Sequence, residues 1–327
     1  MAQIVVYACL ETEWKMVKNE KGGVALVLVI WIMVVLIAIA GEFSHSMRTE
    51  ISITRNFKEE EEAYQLALAG IEQAKLEILS INAVVVYLNE NNVLVFGKDM
   101  VFEEDMEEPL RSERLGSGEF SYVITDEEGK ININTATIDQ LKYFFLETGI
   151  DSTEVDTIVD SMMDWRDTND LHMLNGAEED YYQSLEKPYS SKDGPFQSVE
   201  ELLLVKGMTK KYFNGSKDGA DENDEETYKG VKNQFTVYGS GRININTASG
   251  IALRTLFGDI NANAIISLRE TGPITSPQFN GKVSSEFFSI ISTGAIGDGT
   301  IKRSIKTVVQ KKNNVLETLY WNDNIIG

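Results

Sequence analysis

The stretch "GGVALVLVIWIMVVLIAIAG", residues 22–41, runs for twenty residues without a charged side chain. As a helix rising about 1.5 Å per residue, it would cross the roughly 30 Å hydrocarbon core of a bilayer. Lys15, Lys18 and Lys21 precede it, and basic residues beside a span favour the cytoplasmic side of the membrane. We therefore expect a single-pass membrane protein whose C-terminal part is exported, which in a bacterium means into the periplasm.

The helical pattern continues beyond Gly41. Residues 42–80 contain no proline, and apolar residues recur there at three- and four-residue steps, as in an amphipathic helix: Tyr64, Ala67, Leu68, Ile71, Ala74 and Ile78. A cleavable secretory signal is the alternative, since "AIAGEF" at 38–43 contains small residues suited to a cleavage site. We favour one continuous helix, half in lipid and half amphipathic, because the pattern does not stop at those small residues.

The length, charge and cysteine content limit the classes of protein to which this chain can belong. A chain of 327 residues with 43% apolar content is long enough for two domains with substantial cores. A formal net charge of −21 argues against a nucleic-acid partner, because binding to phosphate depends on clustered Lys and Arg. Cys9 is the sole cysteine, so no internal disulfide is possible.

The exported part alternates between strand and helix signals. Strand-like runs occur at 83–88, 92–97 and 120–133, and again at 235–245, 287–293, 304–311 and 315–321. The intervening residues 135–234 are predicted to be helical, with Thr137 as an N-cap, an S/T-x-x-D/E start in "STEVDTIVDSMMDW" (152–165) and Gly207 as a C-cap. This order predicts one sheet built from both ends of the exported part, with a helical domain inserted into it.

One octapeptide occurs twice, as "GKININTA" at 129–136 and "GRININTA" at 241–248. We interpret each copy as a strand that runs into a helix N-terminus, where Asn and Thr side chains satisfy unpaired amides of the first turn. The first copy would lead into the inserted domain, and the second into a helix at 250–258. The repeat therefore predicts a structural role.

Acidic residues concentrate after the second predicted helix. Oxygen ligands at this density suit Ca²⁺, which takes six to eight of them; the candidate ligands are Asp164, Asp167, Asn169, Asp170, Glu178 and Asp180. The alternative is a solvated acidic loop, and the spacing is not that of an EF-hand. A weaker second cluster comprises Asp218, Asp221, Asn223 and Asp224.

No catalytic motif is found in the sequence. His45 and His172 belong to no HExxH pattern or recognisable Ser or Cys triad, and neither GxSxG nor a Walker A sequence occurs. We therefore predict that the protein is not an enzyme. Trp165 is interpreted as a core anchor of the inserted domain.

The N-terminus resembles that of type IV pilin-like proteins. The basic "KNEKGG" followed by "VALVLVI" is similar to a prepilin peptidase site. The resemblance implies cleavage between Gly23 and Val24, methylation of the new N-terminus, and a leader that starts at Met16 rather than Met1. Most such proteins have Glu at the fifth mature position, where this chain has Leu28. Loss of that carboxylate would prevent contact with the charged N-terminus of a subunit ahead and fits a filament tip.

The exported part resembles the minor pseudopilin K of type II secretion systems, most specifically in "DWRDTND…NGAEEDYYQSLEKPYSSKDGPFQSVEELLLVKGMT" and both "ININTA" copies. The resemblance implies an α+β, type IV pilin-like fold with an inserted all-α domain containing helix-hairpin-helix or SAM-like elements. It also implies bound calcium and a place in the inner membrane with the C-terminal domain in the periplasm. The domains expected are a leader at 1–23, a helix at 24–82, sheet at 83–134, the insertion at 135–234 and sheet at 235–327.

The implied function is that of a subunit at the pseudopilus tip, which starts filament assembly and supports protein secretion across the outer membrane. The implied partners are the I and J minor pseudopilins, the pseudopilus and the inner-membrane secretion platform, the prepilin peptidase and secreted substrate proteins.

The alternative is a membrane-anchored, competence-type DNA-binding protein. The octapeptide also looks like the entry of helix-hairpin-helix modules, some of which bind DNA phosphates. Residues 131–235 contain 22 Asp plus Glu and 10 Lys plus Arg, a net charge of −12, which disfavours DNA. We therefore expect no nucleic-acid partner.

Overall fold

The computed structural model describes residues 20–80, 85–97, 111–215, 229–297, 299–313 and 315–325. The predicted leader start at Met16, Cys9 and the acidic cluster at 218–224 lie outside the described residues. The described residues fall into two units, which divide between Glu59 and Glu60.

Helix α1 spans Glu20–Ser80 and contains 61 residues. The prediction of one continuous helix is therefore confirmed over this range. In the first unit, every side chain described from Val24 to Phe57 is exposed, including those of the apolar stretch. Among the described residues, this is the one helix long and apolar enough to cross a membrane by length and composition.

In the second unit, the last turns of α1 pack on a five-stranded antiparallel sheet with the strand order β3-β4-β7-β8-β9. These strands span Ser112–Leu115, Gly118–Asp126, Phe287–Ile296, Ile301–Lys312 and Val315–Ile325. A separate hairpin pairs β1 (Val85–Leu88) with β2 (Leu94–Gly97). The predicted α+β fold, a long N-terminal helix on an antiparallel sheet made from both ends of the exported part, is confirmed.

Successive side chains of a β-strand point to opposite faces of the sheet, so the buried side chains lie on one face. Burial alternates along β4, where Phe120, Tyr122 and Ile124 are buried and the residues between them are exposed. These side chains meet Ala67 and Ile71 of α1 in one apolar cluster. The opposite face of β4 is therefore free to line a surface of the molecule.

A second apolar cluster unites the helical segments and spans residues 131–283, with Val85 added. The segments are α2 (Ile138–Glu147), α3 (Ser152–Arg166), α4 (Glu179–Gln183), a 3₁₀ helix (Val199–Leu204), α5 (Lys210–Asn214) and α6 (Gly250–Glu270). A short parallel pair, β5 (Ile131–Asn132) and β6 (Phe235–Thr236), lies among them.

The expected return to the main sheet at residue 235 was wrong in position. Strand β6 pairs with β5, and the five-stranded sheet resumes only at Phe287. The intervening residues share their core with the helices, because α6 packs on α2. The domain limits as a whole stay a prediction.

The helix termini agree in part with the sequence. Thr137 caps α2 and forms a capping box with Gln140, as predicted for that N-cap. By contrast, α3 is capped by Asp151, whose side chain accepts from the amide of Thr153. The predicted helix ending at Gly207 is a 3₁₀ helix that ends at Leu204, and Gly207 adopts a φ of 87° in the following turn.

Candidate metal centre

Three acidic side chains converge where α3 ends. Asp164 lies in the last turn of α3, Asp167 is its C-cap residue, and Glu178 is the N-cap residue of α4. One carboxylate oxygen of each lies within 4.8 Å of the others. These three residues form the acidic triad, the densest group of potential metal ligands among the described residues.

The loop between α3 and α4 folds back onto the acidic face of α3. The Asp164 carboxylate accepts from the amide of Met173 at 3.0 and 3.1 Å. One turn earlier, Asp160 accepts from both the backbone and the side-chain amide of Asn175 at 3.1 Å. Sequence reasoning did not select Asp160, although its spacing of four residues from Asp164 places both on one helix face.

Gly176 allows this close approach. A Cβ atom there would collide with Oδ2 of Asp164. The ammonium group of Lys206 donates to the carbonyls of Asn175 and Gly176, at 3.2 and 2.9 Å, and so holds the loop from its other side. The triad is therefore built on a loop with fixed backbone contacts.

Burial makes the triad electrostatically costly without a cation. Glu178 is 3% exposed and Asp164 is fully buried, and neither Glu178 oxygen has a hydrogen-bond partner among the described residues. Desolvation, followed by the charges of Asp164 and Asp167, raises the pKa of Glu178 to about 7. Desolvation also raises the pKa of Asp164. Buried carboxylates without donors favour either protonation or a hard cation.

The other predicted ligands lie outside the triad. The Asn169 side-chain nitrogen donates to Asp167 at 2.8 Å, and its oxygen accepts from the amide of Leu171 at 3.0 Å. Asp170 and Asp180 are exposed, and Asp180 accepts from the neighbouring amide of Tyr181. The structure therefore groups three of the six candidate residues.

An aromatic cluster lies beside the triad. Trp165 is 2% exposed and meets the ring of Tyr182 edge-on at 5.2 Å, which confirms its interpretation as a core anchor. The ammonium group of Lys206 lies 5.0 Å from the centre of the Tyr181 ring. The two histidines, His45 and His172, are exposed, and His172 contacts the Met173 carbonyl.

The repeated octapeptide builds the same polar loop twice. Asn132 accepts from the amide of Asn134 at 2.9 Å, and Asn244 accepts from the amide of Asn246 at 3.0 Å. In each copy, one arginine closes the loop from a distant helix. Arg166 donates to Ile133 and Ala136 carbonyls at 2.6 and 2.9 Å, while Arg269 donates to the equivalent Ile245 and Ala248 carbonyls at 2.5 and 2.8 Å.

The equivalence extends to a third segment. Asn134 exchanges two hydrogen bonds with the backbone of Phe196, and Asn246 does the same with Ile274. These residues lie in "GPFQS" (194–198) and "GPITS" (272–276), which are themselves similar. The octapeptide is thus one part of a longer duplicated unit, and the acidic loop lies between the arginine and the glycine of its first copy.

The interpretation of the octapeptide as a strand capping a helix was therefore wrong in detail. Only Ile131 and Asn132 form a strand in the first copy, and Asn244 forms one isolated bridge in the second. The helix caps are Thr137 and Ser249, which follow the octapeptides. The Asn side chains instead satisfy amides within the loop itself.

A buried polar junction connects the second loop to the main sheet. The Asp126 carboxylate, at the end of β4, accepts from Asn244, Thr247 and Ser285 at 2.6–2.8 Å. Burial raises its pKa. Glu128 next to it pairs with Lys282. This junction fixes the helical core to the sheet within the second unit.

Comparison with known proteins shows a match to one family over part of the chain. The family model "Type II secretion system (T2SS), protein K" matches residues 121–215, which include the first duplicated loop and the acidic triad. Over these 95 residues the chain is similar to the type II secretion system protein K family.

Two curated members of this family align with the chain in part. The putative type II secretion system protein K of Escherichia coli K12 is 23% identical over 209 residues. The type II secretion system protein K of Aeromonas hydrophila is 22% identical over 219 residues. The alignments span 60% of this chain, and 60% and 61% of the two relatives.

A solved structure shares the fold. The crystal structure of the GspK-GspI-GspJ complex from the enterotoxigenic Escherichia coli Type 2 Secretion System contains a chain that matches with a TM-score of 0.55 and 14% identity. The match covers 86% of this chain and all of the other. The likeness supports the arrangement of long helix and antiparallel sheet described above.

Proposed function

We propose that this chain is a minor pseudopilin at the tip of the type II secretion pseudopilus. In this role it starts filament assembly and supports export of folded proteins across the outer membrane. The observation that carries the proposal is the long apolar helix joined to a sheet, in a chain that is similar to the protein K family over residues 121–215. The role is structural, and it calls for no catalytic group.

Helix α1 offers the surface for assembly. Beyond the predicted span, it exposes large apolar side chains that recur mostly at four-residue steps: Phe43, Met47, Ile51, Ile53 and Phe57. A stripe of this kind suits packing against neighbouring helices. We propose that it contacts other minor pseudopilins in the filament.

The proposed partners follow from the family and from the solved complex, which contains GspK together with GspI and GspJ. By analogy, this chain would bind the corresponding I and J subunits, the inner-membrane secretion platform and secreted proteins. Prepilin peptidase would cleave between Gly23 and Val24, and the new N-terminus would be methylated. Residues beyond the span would lie in the periplasm.

The position of Leu28 supports a tip location. An apolar residue at the fifth mature position offers no carboxylate for the charged N-terminus of a subunit ahead. A terminal subunit has no such neighbour and needs no such contact.

The duplicated loops support helix-hairpin-helix-like or SAM-like elements in the helical part. Their polar atoms are used inside the protein, because Asn134 and Asn246 bond to backbone across each loop. We propose that the helical part at the tip serves protein contact.

We also propose that the acidic triad binds Ca²⁺. The triad supplies a buried, donor-free Glu178 and two further carboxylates within reach of one ion. Backbone carbonyls and water would complete the six to eight oxygens that calcium takes. The ion would tie α3 to α4 and stiffen the loop between them.

Two measurements test the function. Full-length protein in detergent should co-purify with the I and J pseudopilins, and its mature mass should correspond to a start at methylated Val24. A Phe57→Glu variant should lose this association, whereas exposed Leu76→Glu, outside the stripe, should retain it. Salt-sensitive DNA binding together with failure to recover pseudopilins would overturn the proposal in favour of the competence-type alternative.

A further inference from the structure

A groove in the second unit lies between the outer face of the main sheet and the helical part. Its cavity measures about 300 Å³. One wall consists of sheet residues on the face opposite α1, among them Ile291, Lys306 and Val308. The other wall is formed by Val199 of the 3₁₀ helix and by Phe235 of β6. None of these residues belongs to the acidic triad.

The walls of the groove are largely apolar. In them Phe235 and Val308 are buried, while Ile291 remains 42% exposed on a central strand. Val123 pairs with Ile291 across β4 and β7 and is 60% exposed. Side chains paired in this way lie about 5 Å apart on one face. The apolar surface thus continues from the groove onto the sheet.

The rim of the groove is positive, although the whole chain carries a formal charge of −21. Three lysines and two glutamates line it, a net charge of +1: Lys130, Lys232, Lys306, Glu127 and Glu200.

Glu127 and Lys130 neutralise each other at the rim, because the buried Glu127 carboxylate accepts from Lys130 at 2.6 Å and from Thr236 at 2.7 Å. The net charge of +1 therefore comes from Lys232 and Lys306 against Glu200. The ammonium group of Lys232 donates to the amide oxygen of Asn214 at 3.1 Å. Within the described ranges, neither Lys232 nor Lys306 has an ion pair with a carboxylate. Both ammonium groups are therefore available to an acidic ligand.

We propose that this groove binds an extended segment of a partner protein that carries one or two apolar side chains flanked by Asp or Glu. The cavity is at the small end of the range for ligand sites and suits side chains rather than a whole helix. Charge complementarity favours acidic flanks, because Lys232 and Lys306 have no ion-paired carboxylate in the part of the chain that the structure describes, and only Glu200 offsets their charge at the rim. This site is separate from helix packing and from the calcium site, and it does not depend on the proposed secretion role.

The test uses the full chain in a zwitterionic detergent and a peptide labelled at its N-terminus, fluorescein-Asp-Leu-Asp-Phe-Glu-amide. Fluorescence anisotropy should show binding that is tighter than that of the same peptide with Lys at each acidic position. The double variant K232E/K306E should weaken binding of the acidic peptide about tenfold at low salt. Val199→Trp should block the groove and weaken binding by a similar factor.

The matched control is K210E/K302E, which makes the same change in net charge at two exposed lysines outside the groove. It should alter the affinity less than twofold. Thermal unfolding of each variant establishes that the fold persists. The proposal is overturned if the two double variants weaken binding equally, if the peptide with Lys binds as well as the acidic peptide, or if the acidic peptide does not bind at millimolar concentration.

Discussion

Replacing Arg269 by Met tests whether its guanidinium group holds the second duplicated loop. Nε and Nη2 donate to the carbonyls of Ile245 and Ala248 at 2.5 and 2.8 Å. Both of these residues are buried. Methionine approximates the stem of the side chain, but it offers no donor.

The magnitude follows from two opposing contributions. Burial lowers the pKa of Arg269 to about 10, which corresponds to a cost of about 3 kcal/mol for the charged form. Substitution relieves that cost. Two hydrogen bonds from a charged donor, together worth about 3–6 kcal/mol, are lost at the same time. The loss outweighs the relief, and we expect the free energy of unfolding to fall by up to about 3 kcal/mol.

The assay is urea unfolding of the full chain in mild detergent, followed by tryptophan fluorescence. The midpoint should fall while the denaturant slope stays constant. Arg166→Met makes the same change in the first loop and should have an effect of similar size. Arg254→Met is the control, because its ion pair with Glu147 is long, at 3.8 Å, and near the surface. Equal stability of Arg269→Met and wild type, or an equal loss in Arg254→Met, would refute the reasoning.

Three further predictions concern the triad and the loops. Glu178→Gln should stabilise the calcium-free protein by up to about 3 kcal/mol at pH 8. The folded-state pKa of Glu178, about 7, is above its unfolded value of 4.5, so the protonated carboxyl favours folding below pH 4.5. This contribution to stability is lost as the pH rises through 7. In denaturant titrations with EDTA or Ca²⁺, only the wild type should gain stability from calcium. Gly176→Ala should weaken calcium binding, measured by calorimetry, at least tenfold, because the added Cβ atom would collide with Asp164. Gly194→Ala is the control and should leave binding unchanged, because the nearest atom to its added Cβ is 3.8 Å away. Asn246→Ala should lower the melting temperature through loss of two hydrogen bonds, each worth about 1 kcal/mol, and an unchanged melting curve would contradict this.

Local sequence patterns were sufficient to predict α1 and most strands of the main sheet. The apolar stretch and the three- and four-residue steps predicted a helix that the structure shows from Glu20 to Ser80. The Thr137 cap was also predictable, because a capping box is formed by residues three apart. These features depend on neighbours in the chain, so they can be recognised without knowing the tertiary contacts.

The duplicated unit could be predicted only in part. Its octapeptides are visible as letters, but Arg166 and Arg269 lie 30 and 21 residues beyond the alanine carbonyls that they bind. No spacing rule connects such pairs. The sequence therefore indicated a strand and cap, whereas the structure showed a polar loop closed by an arginine.

The acidic site, too, could be predicted from the sequence only in part. Residue density indicated a cation site after α3, and six side chains were candidates. The loop places Glu178 beside Asp164 but leaves Asp170 and Asp180 in solvent. The fold of the loop decides which candidates meet. The loop packs back on α3, where Asp164 accepts from an amide nine residues later and Asp160 accepts from one fifteen residues later.

By itself, the sequence determined a membrane-length helix, an antiparallel sheet from both ends of the exported part and an acidic region suited to a cation. Only the tertiary structure decided which carboxylates meet, how the two loops are closed and where the groove between sheet and helices lies. The physical reason is the distance along the sequence over which each kind of interaction acts. Periodicity and capping act between residues within a few positions, whereas buried hydrogen bonds and charge clusters join groups that the folded chain alone brings together.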